Sequence, residues 1–121
     1  MLFHYQIRDY FLYTGYVDMR KGIDGLYGIV NNELGKNPIT GDLYVFINKK
    51  RNQIKMLHWQ GDGFGIFYKR LERGRYEIIK NISQEKQEKI NSEQLLFILQ
   101  GVVLKSIRKH KRYTHEIVDN Y

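Results

Sequence analysis

The chain has no cysteine, one proline and one tryptophan among its 121 residues. The lack of cysteine excludes a disulfide framework, a thiolate zinc site and a cysteine nucleophile. No run approaches the ~18 consecutive apolar residues that a membrane span requires. The N-terminus also has no apolar core followed by a small-residue cleavage site, so it does not have the pattern of a signal peptide. We therefore expect a cytoplasmic protein that makes no membrane contact.

Positive charge is abundant and clustered. The net charge is +7. The length of 121 residues predicts one domain, and the hydrophobic fraction of 42% excludes a disordered chain. Residues 49–80 carry nine Lys or Arg against three Asp or Glu, and residues 105–121 carry five against two. This clustering favours a polyanion as partner. A charged surface that only keeps a small protein in solution is the alternative interpretation.

The spacing of apolar residues predicts two helices. The first extends from Asp18 to Leu34, with Asp18 as its N-cap and Gly35 just beyond its end. The second extends from Ser92 to Gln100, with Ser92 as its N-cap and Gly101 at its end. The polar residues 80–91 are interpreted as a linker before this second helix.

Short β-prone runs predict the strands, at residues 10–13, 43–48, 53–59, 64–70 and 75–80. The last four are separated by turn-like connectors, including Asp62-Gly63, the dipeptide preferred in type I′ hairpins. The predicted fold is α+β: an antiparallel four- to five-stranded meander with an N-terminal helix on one face and a C-terminal helix. We expect one domain over residues 1–101 and a basic C-terminal tail over residues 102–121.

Nothing in the sequence predicts an enzyme. Asp18 is explained as a helix cap, and Asp42 and Asp62 as turn residues. The histidines lack metal-ligand spacing, and His58 beside Trp59 is typical of a half-buried packing residue. No catalytic residue, metal or cofactor is therefore predicted. An endonuclease is the weakest of the hypotheses.

The basic residues and neighbouring aromatics are the strongest functional signal. In an antiparallel meander alternate turns share one end of the sheet, which brings the 49–52 and 71–74 turns together. The predicted nucleic-acid-binding residues come from these turns and from the tail: Lys49, Lys50, Arg51, Lys55, Lys69, Arg70, Arg73, Arg75, Arg108, Lys109, Lys111 and Arg112. Aromatic residues of the strands are candidates for stacking on bases if exposed, and core residues otherwise: Trp59, Phe67, Tyr68 and Tyr76.

Three sequence blocks point to a known family. Residues 16–26 read YVDMRKGIDGL, residues 40–51 read TGDLYVFINKKR, and the third block joins IKMLHWQGDGF at 54–64 to YKRLERGRY at 68–76. Over about residues 10–101 the chain resembles the small TnpB-type accessory protein (second open reading frame) of the insertion-sequence sixty-six transposon family. It does not resemble the RNA-guided nuclease that shares the name TnpB.

The resemblance implies a non-enzymatic factor encoded beside a DDE-type transposase and needed for efficient transposition. It carries over no catalytic residues. One hypothesis is that the chain binds DNA, at the ends of the element, through the basic hairpin patch with help from the tail. The alternative is a protein adaptor without nucleic-acid contact. In that case the sheet face or the Leu95–Leu99 helix docks the transposase or a companion accessory protein.

Overall fold

The computed structural model of the protein describes residues 6–78 and 85–101. Five strands form one sheet: β1 (Tyr10–Tyr16), β2 (Leu43–Ile47), β3 (Gln53–Trp59), β4 (Phe64–Arg70) and β5 (Gln87–Ile90). Helix α1 (Ile23–Gly28) continues into a π-helical segment (Ile29–Glu33), and α2 (Ser92–Gln100) follows β5. The predicted α+β class is confirmed. The predicted tail lies outside the described residues, together with Arg108, Lys109, Lys111 and Arg112.

The strand order in the sheet is β4-β3-β2-β1-β5. Strands β2, β3 and β4 form the predicted antiparallel meander, which short hairpin turns connect. Strand β1 departs from the prediction because it runs parallel to β2, while pairing antiparallel with β5. The helical crossover between β1 and β2 permits this parallel arrangement, which a tight turn does not.

The fifth strand lies in a different segment from the predicted one. Residues 75–78 form no strand, and residues 79 and 80 lie outside the described part of the chain. β5 comes instead from the segment interpreted as a polar linker, where only Ile90 is buried. Its polar sequence has low strand propensity, so its pairing with β1 determines its conformation.

Each face of the sheet is covered by a different helical element. On one face α2 contributes Leu95 and Ile98, which pack with Tyr76 against the side chains of Val45 and Met56. On the other face Leu26 of α1 and Val30 of the π-helical segment pack against Tyr44, Phe46 and Leu57. All five residues of β2 are buried, because the central strand is covered on both sides.

The N-cap residues of both helices differ from those predicted, although α2 begins at Ser92 and ends at Gln100 as predicted. The N-cap of α1 is Gly22, which provides no side-chain cap, and Asp18 lies outside the helix in the preceding segment. The N-cap of α2 is Asn91, one residue before Ser92. The Asn91 side chain accepts a hydrogen bond from Gln94 N at 2.7 Å, and the Gln94 side chain accepts one from Asn91 N at 2.9 Å. This reciprocal pair is a capping box. Within residues 6–78 and 85–101, no helix has the length and hydropathy needed to cross a membrane.

The turn between β3 and β4 differs from the predicted type. Gln60 N donates to the carbonyl of Gly63 at 2.8 Å, so Gly61 and Asp62 are the two central residues. Gly61 has a φ of +93°, which places glycine at the first central position, as in type II′ turns. The type I′ prediction for Asp62-Gly63 is therefore wrong, although the hairpin itself is present.

Candidate nucleic-acid interface

The two basic turns meet at one end of the sheet, here called the turn end. Strands β2 and β4 finish there, since Ile47 pairs with Ile54 and Arg70 pairs with Gln53. The backbones of the turns are in direct contact. Leu71 N donates to the Asn52 carbonyl at 2.7 Å, and Tyr76 N donates to the Arg51 carbonyl at 2.6 Å.

The turn after β2 is held by the side chain of Asn48. Its amide oxygen accepts hydrogen bonds from Asn52 N at 3.0 Å and Gln53 N at 2.9 Å. Its amide nitrogen donates to the Asn52 side chain at 2.8 Å. These bonds define the loop geometry, and Lys49 and Lys50 at its tip are exposed.

Five of the predicted site residues are exposed cations whose side chains have no ion-pair or hydrogen-bond partner within the described ranges: Lys49, Lys50, Lys69, Arg73 and Arg75. Four of these cations lie in the two adjoining turns or directly beside them, namely Lys49, Lys50, Arg73 and Arg75. These side chains are therefore available to an anionic ligand.

The other three described candidates have partners within the protein. Arg51 lies 3.8 Å from the Glu77 carboxylate with its side chain 22% exposed, and Arg70 lies 3.4 Å from the Glu72 carboxylate at the surface. The Lys55 ammonium group donates to two backbone carbonyls in the segment that follows β1. Lys55 thus stabilises a neighbouring loop.

Lys69 and Arg70 project from opposite faces of the sheet, because successive side chains of a strand alternate. Lys69 pairs with Ile54, which belongs to the core beneath α2, whereas Arg70 pairs with Gln53. The two cations therefore do not form one patch with each other.

The candidate stacking residues have different environments. Tyr76 is 0% exposed, and burial raises the pKa of its phenol to about 12, so the core interpretation is correct for this residue. Phe67 is half-buried, and the half-buried Trp59 lies at the far end of β3. Tyr68 is 47% exposed, and its hydroxyl donates to the Gln53 side chain at 2.5 Å.

An open groove of about 720 Å³ lies beside the turn after β2. The segment after β1 forms one wall and the turn after β2 forms the other, and the lining residues are Tyr16, Val17, Asp18, Met19, Arg20, Asn48, Lys49, Lys50 and Gln53. The groove therefore lies at the carboxyl ends of β1 and β2, which run parallel.

Sequence reasoning missed Tyr16 and Arg20 as site residues. Both lie in the YVDMRKGIDGL block, directly at the end of β1. Their proximity to Lys49 and Lys50 depends on the parallel pairing of β1 with β2. The signal available in the sequence was that a basic segment follows each of the two strands.

Arg20 is paired with Asp18 inside the groove. Its Nη2 lies 2.6 Å and its Nε 3.0 Å from Asp18 Oδ2, and Arg20 N also donates to Asp18 Oδ1 at 2.8 Å. The pKa of the Asp18 carboxyl is lowered to about 2, mainly by the hydrogen bonds from the Arg20 side chain. Asp18 therefore stays ionised at neutral pH and balances Arg20, so the two lysines supply the uncompensated positive charge of the groove.

The described residues contain no group of three His, Asp or Glu side chains placed to hold a metal ion. His58 is buried, and its Nε2 lies 3.2 Å from the Gly41 carbonyl oxygen. Burial lowers its pKa from the ordinary 6.5. His58 is thus more deeply buried than the half-buried packing residue that was predicted, and its environment fits a packing role.

Comparison with known proteins agrees with the sequence blocks. Residues 8–109 match the IS66 Orf2-like protein family. The chain is 34% identical to the uncharacterized protein y4hO of Sinorhizobium fredii over 89 residues, which are 74% of this chain and 76% of y4hO. It is 35% identical over 60 residues to the uncharacterized protein y4jC of the same organism, covering 50% of this chain and only about half (51%) of y4jC. No solved structure matches. The chain belongs to the IS66 Orf2-like family, which has an accessory role in insertion-sequence transposition.

Proposed function

We propose that the chain is a non-enzymatic transposition factor that binds DNA, at the ends of the element, through the turn end of its sheet. One observation supports the proposal above the others. The backbone contact between the two turns collects exposed cations that have no acidic partner in the described part of the chain: Lys49, Lys50, Arg73 and Arg75. Lysine and arginine side chains of this kind neutralise DNA phosphates and release counterions.

The charges at the two ends of the sheet are consistent with DNA binding at the turn end. The opposite end holds the β3–β4 turn with Asp62, and Asp42 precedes β2 there. Asp42 is engaged by the Arg8 guanidinium through contacts of 3.0 and 3.1 Å. Asp62 is exposed at that end, whereas Asp42 is buried and its charge is balanced by Arg8. The turn end, where four exposed cations have no partner among the described residues, is therefore the end of the sheet that favours a polyanion.

The test is a binding series over salt concentration with a labelled duplex that contains an element end. If about five cations contact phosphates, log K falls against log[salt] with a slope of about −4 to −5. The double variants K49Q/K50Q and R73Q/R75Q each remove two contacts, so each flattens the slope by about 1.8.

The matched control is K36Q/K89Q, which removes the same charge away from the turns. Lys36 lies over the Phe11 ring and Lys89 lies near Asp9, so neither belongs to the turn end. We expect this control to keep the slope of the unmodified protein. Binding that does not depend on salt, or no binding at low salt, contradicts the proposal.

A protein adaptor is the second candidate function. Leu96 on α2 is 52% exposed, whereas its neighbours Leu95 and Ile98 are buried against the sheet. An exposed leucine on a helix is a contact that a protein partner buries favourably. Co-purification with the transposase that survives nuclease treatment and is lost in Leu96→Asp, with the fold retained, supports this role. Retention of the complex in Leu96→Asp contradicts it.

A further inference from the structure

The groove between the segment after β1 and the turn after β2 has features that contact with duplex DNA does not use. Tyr16 is 54% exposed and lines the groove beside Val17 and Met19. A duplex presents its phosphates and sugars outward and keeps its bases stacked inside. An exposed tyrosine ring within a cavity is suited to a planar base that has left the stack.

Tyr16 lines the groove together with the exposed Lys49 and Lys50. From this combination of an aromatic ring and two cations we infer that the groove receives an unpaired nucleotide of single-stranded DNA. Its base stacks on the Tyr16 ring, and its flanking phosphates contact Lys49 and Lys50. The inference rests on the proposed DNA binding and specifies the class of DNA. The volume of about 720 Å³ lies within the range typical of small-ligand sites, about 300–1,000 Å³. A groove of that size is large enough for one nucleotide.

Hydrogen bonds within the protein hold both walls of the groove in place. Lys55 Nζ donates to the Met19 carbonyl at 2.8 Å and to the Lys21 carbonyl at 2.9 Å, which anchors the wall after β1. Asn48 holds the opposite wall through its bonds to Asn52 and Gln53. Val17 N donates to the Ile47 carbonyl at 3.1 Å and joins the two walls. A site that is ordered before binding loses less conformational entropy when its ligand arrives.

The polar groups of the groove match the parts of a nucleotide. Lys49 and Lys50 are exposed and have no partner within the described residues, so their ammonium groups are available to phosphate oxygens. Arg20 is paired with Asp18, so its charge is balanced within the protein. Phosphate contact and base stacking together give affinity for single strands without sequence preference.

The experiment compares three labelled DNA probes of equal length: a single-stranded oligothymidylate, a single strand of abasic sites, and a duplex. We expect Tyr16→Ala to weaken oligothymidylate binding by about 5- to 150-fold, and to change binding of the abasic strand and the duplex less than about twofold. Tyr16→Phe keeps the aromatic face and retains binding. K49Q/K50Q weakens binding of the abasic strand as well, because those contacts go to phosphates.

Ile39→Ala is the matched control, since Ile39 is a 46% exposed apolar residue in the loop before β2, outside the groove. Tyr16→Leu keeps an apolar side chain in the strand but removes the ring, and it serves as a second variant if Tyr16→Ala does not fold. Equal loss on all three probes, or no loss on oligothymidylate, overturns the inference. In both cases the proposed function stands as long as the unmodified protein binds the duplex. Failure of the unmodified protein to bind any probe overturns the proposed function as well.

Discussion

The ammonium nitrogen of Lys55 lies 2.8 Å from the carbonyl oxygen of Met19, although 36 residues separate them in the chain. Strand β3 thereby holds the segment that follows β1. A second bond from the same nitrogen to the Lys21 carbonyl, at 2.9 Å, completes the anchor. This basic residue, predicted from sequence as a phosphate contact, has an internal structural task.

Replacing Lys55 by methionine tests that task. Met retains the alkyl chain but cannot donate to the two carbonyls, so we expect the free energy of unfolding to fall by about 1.5–3 kcal/mol. Lys49→Met is the matched control and should change it by no more than about 0.5 kcal/mol, because the Lys49 side chain is exposed and unpaired within the described residues. Urea unfolding measures both. Equal effects of the two variants would show that the anchor contributes nothing.

The N-terminus of α2 gives a prediction that distinguishes two adjacent residues. Asn91 is the N-cap and forms the capping box with Gln94. Asn91→Ala should therefore lower the free energy of unfolding by about 1 kcal/mol. Ser92→Ala, one residue later, should lower it by less than about 0.5 kcal/mol. The reverse order in thermal or urea unfolding would assign the cap to Ser92, as the sequence alone suggested.

Burial of His58 predicts a dependence of stability on pH. Its pKa is lowered in the folded state, so the unfolded chain takes up the proton first as the pH falls below about 6.5. The unfolded state then binds more protons, and the free energy of unfolding decreases with falling pH. Urea unfolding between pH 7 and pH 5 should show a smaller decrease for His58→Gln than for the unmodified protein. An equal decrease in His58→Gln and in the unmodified protein would show that His58 is not the cause of the pH dependence.

Tyr76 predicts the opposite dependence at high pH. Its buried hydroxyl has no hydrogen-bond partner among the described residues, and its pKa is raised to about 12 from 10.0. Between these values the unfolded chain loses the proton first, so stability falls as the pH rises. Tyr76→Phe should remove that loss and, at neutral pH, raise the free energy of unfolding by about 1 kcal/mol.

Tyr68→Phe is the control for Tyr76→Phe, because the Tyr68 hydroxyl has a partner in Gln53. It should give no stability gain. Chemical unfolding of both variants at neutral and at alkaline pH measures the difference. A gain of equal size in the two variants would show that the unpaired hydroxyl of Tyr76 is not its cause.

The parts of the fold that were predictable from sequence are the local ones. Residues 43–70 form a meander because each hairpin is encoded by neighbouring residues and a short turn. The pairing of β1 with β2 and β5 connects residues far apart in the chain, and no local pattern specifies it. Gln87–Ile90 became a strand through that pairing, whereas Tyr76, in the run predicted as a strand, fills the core as part of an irregular segment.

The same division between local and long-range features applies to the candidate site. The adjoining basic turns follow from antiparallel geometry, so the placement of the Lys49 and Arg73 turns at one end of the sheet was predictable from spacing alone. Whether a cation is available depends on neighbours that composition does not reveal, such as Glu77 beside Arg51. The groove with Tyr16 requires the parallel strand pair, and therefore became visible only with the fold.

The position of β4 at the edge of the sheet has a consequence for self-association. Among the described residues β4 pairs only with β3, so the peptide groups of its outer side are a template for another strand. Lys69 and Arg70 lie at the C-terminal end of this edge, so their charges face each other and repel when two such edges pair in parallel. The cations of β4 therefore oppose parallel edge-to-edge pairing of two copies, whichever ligand the neighbouring turns bind.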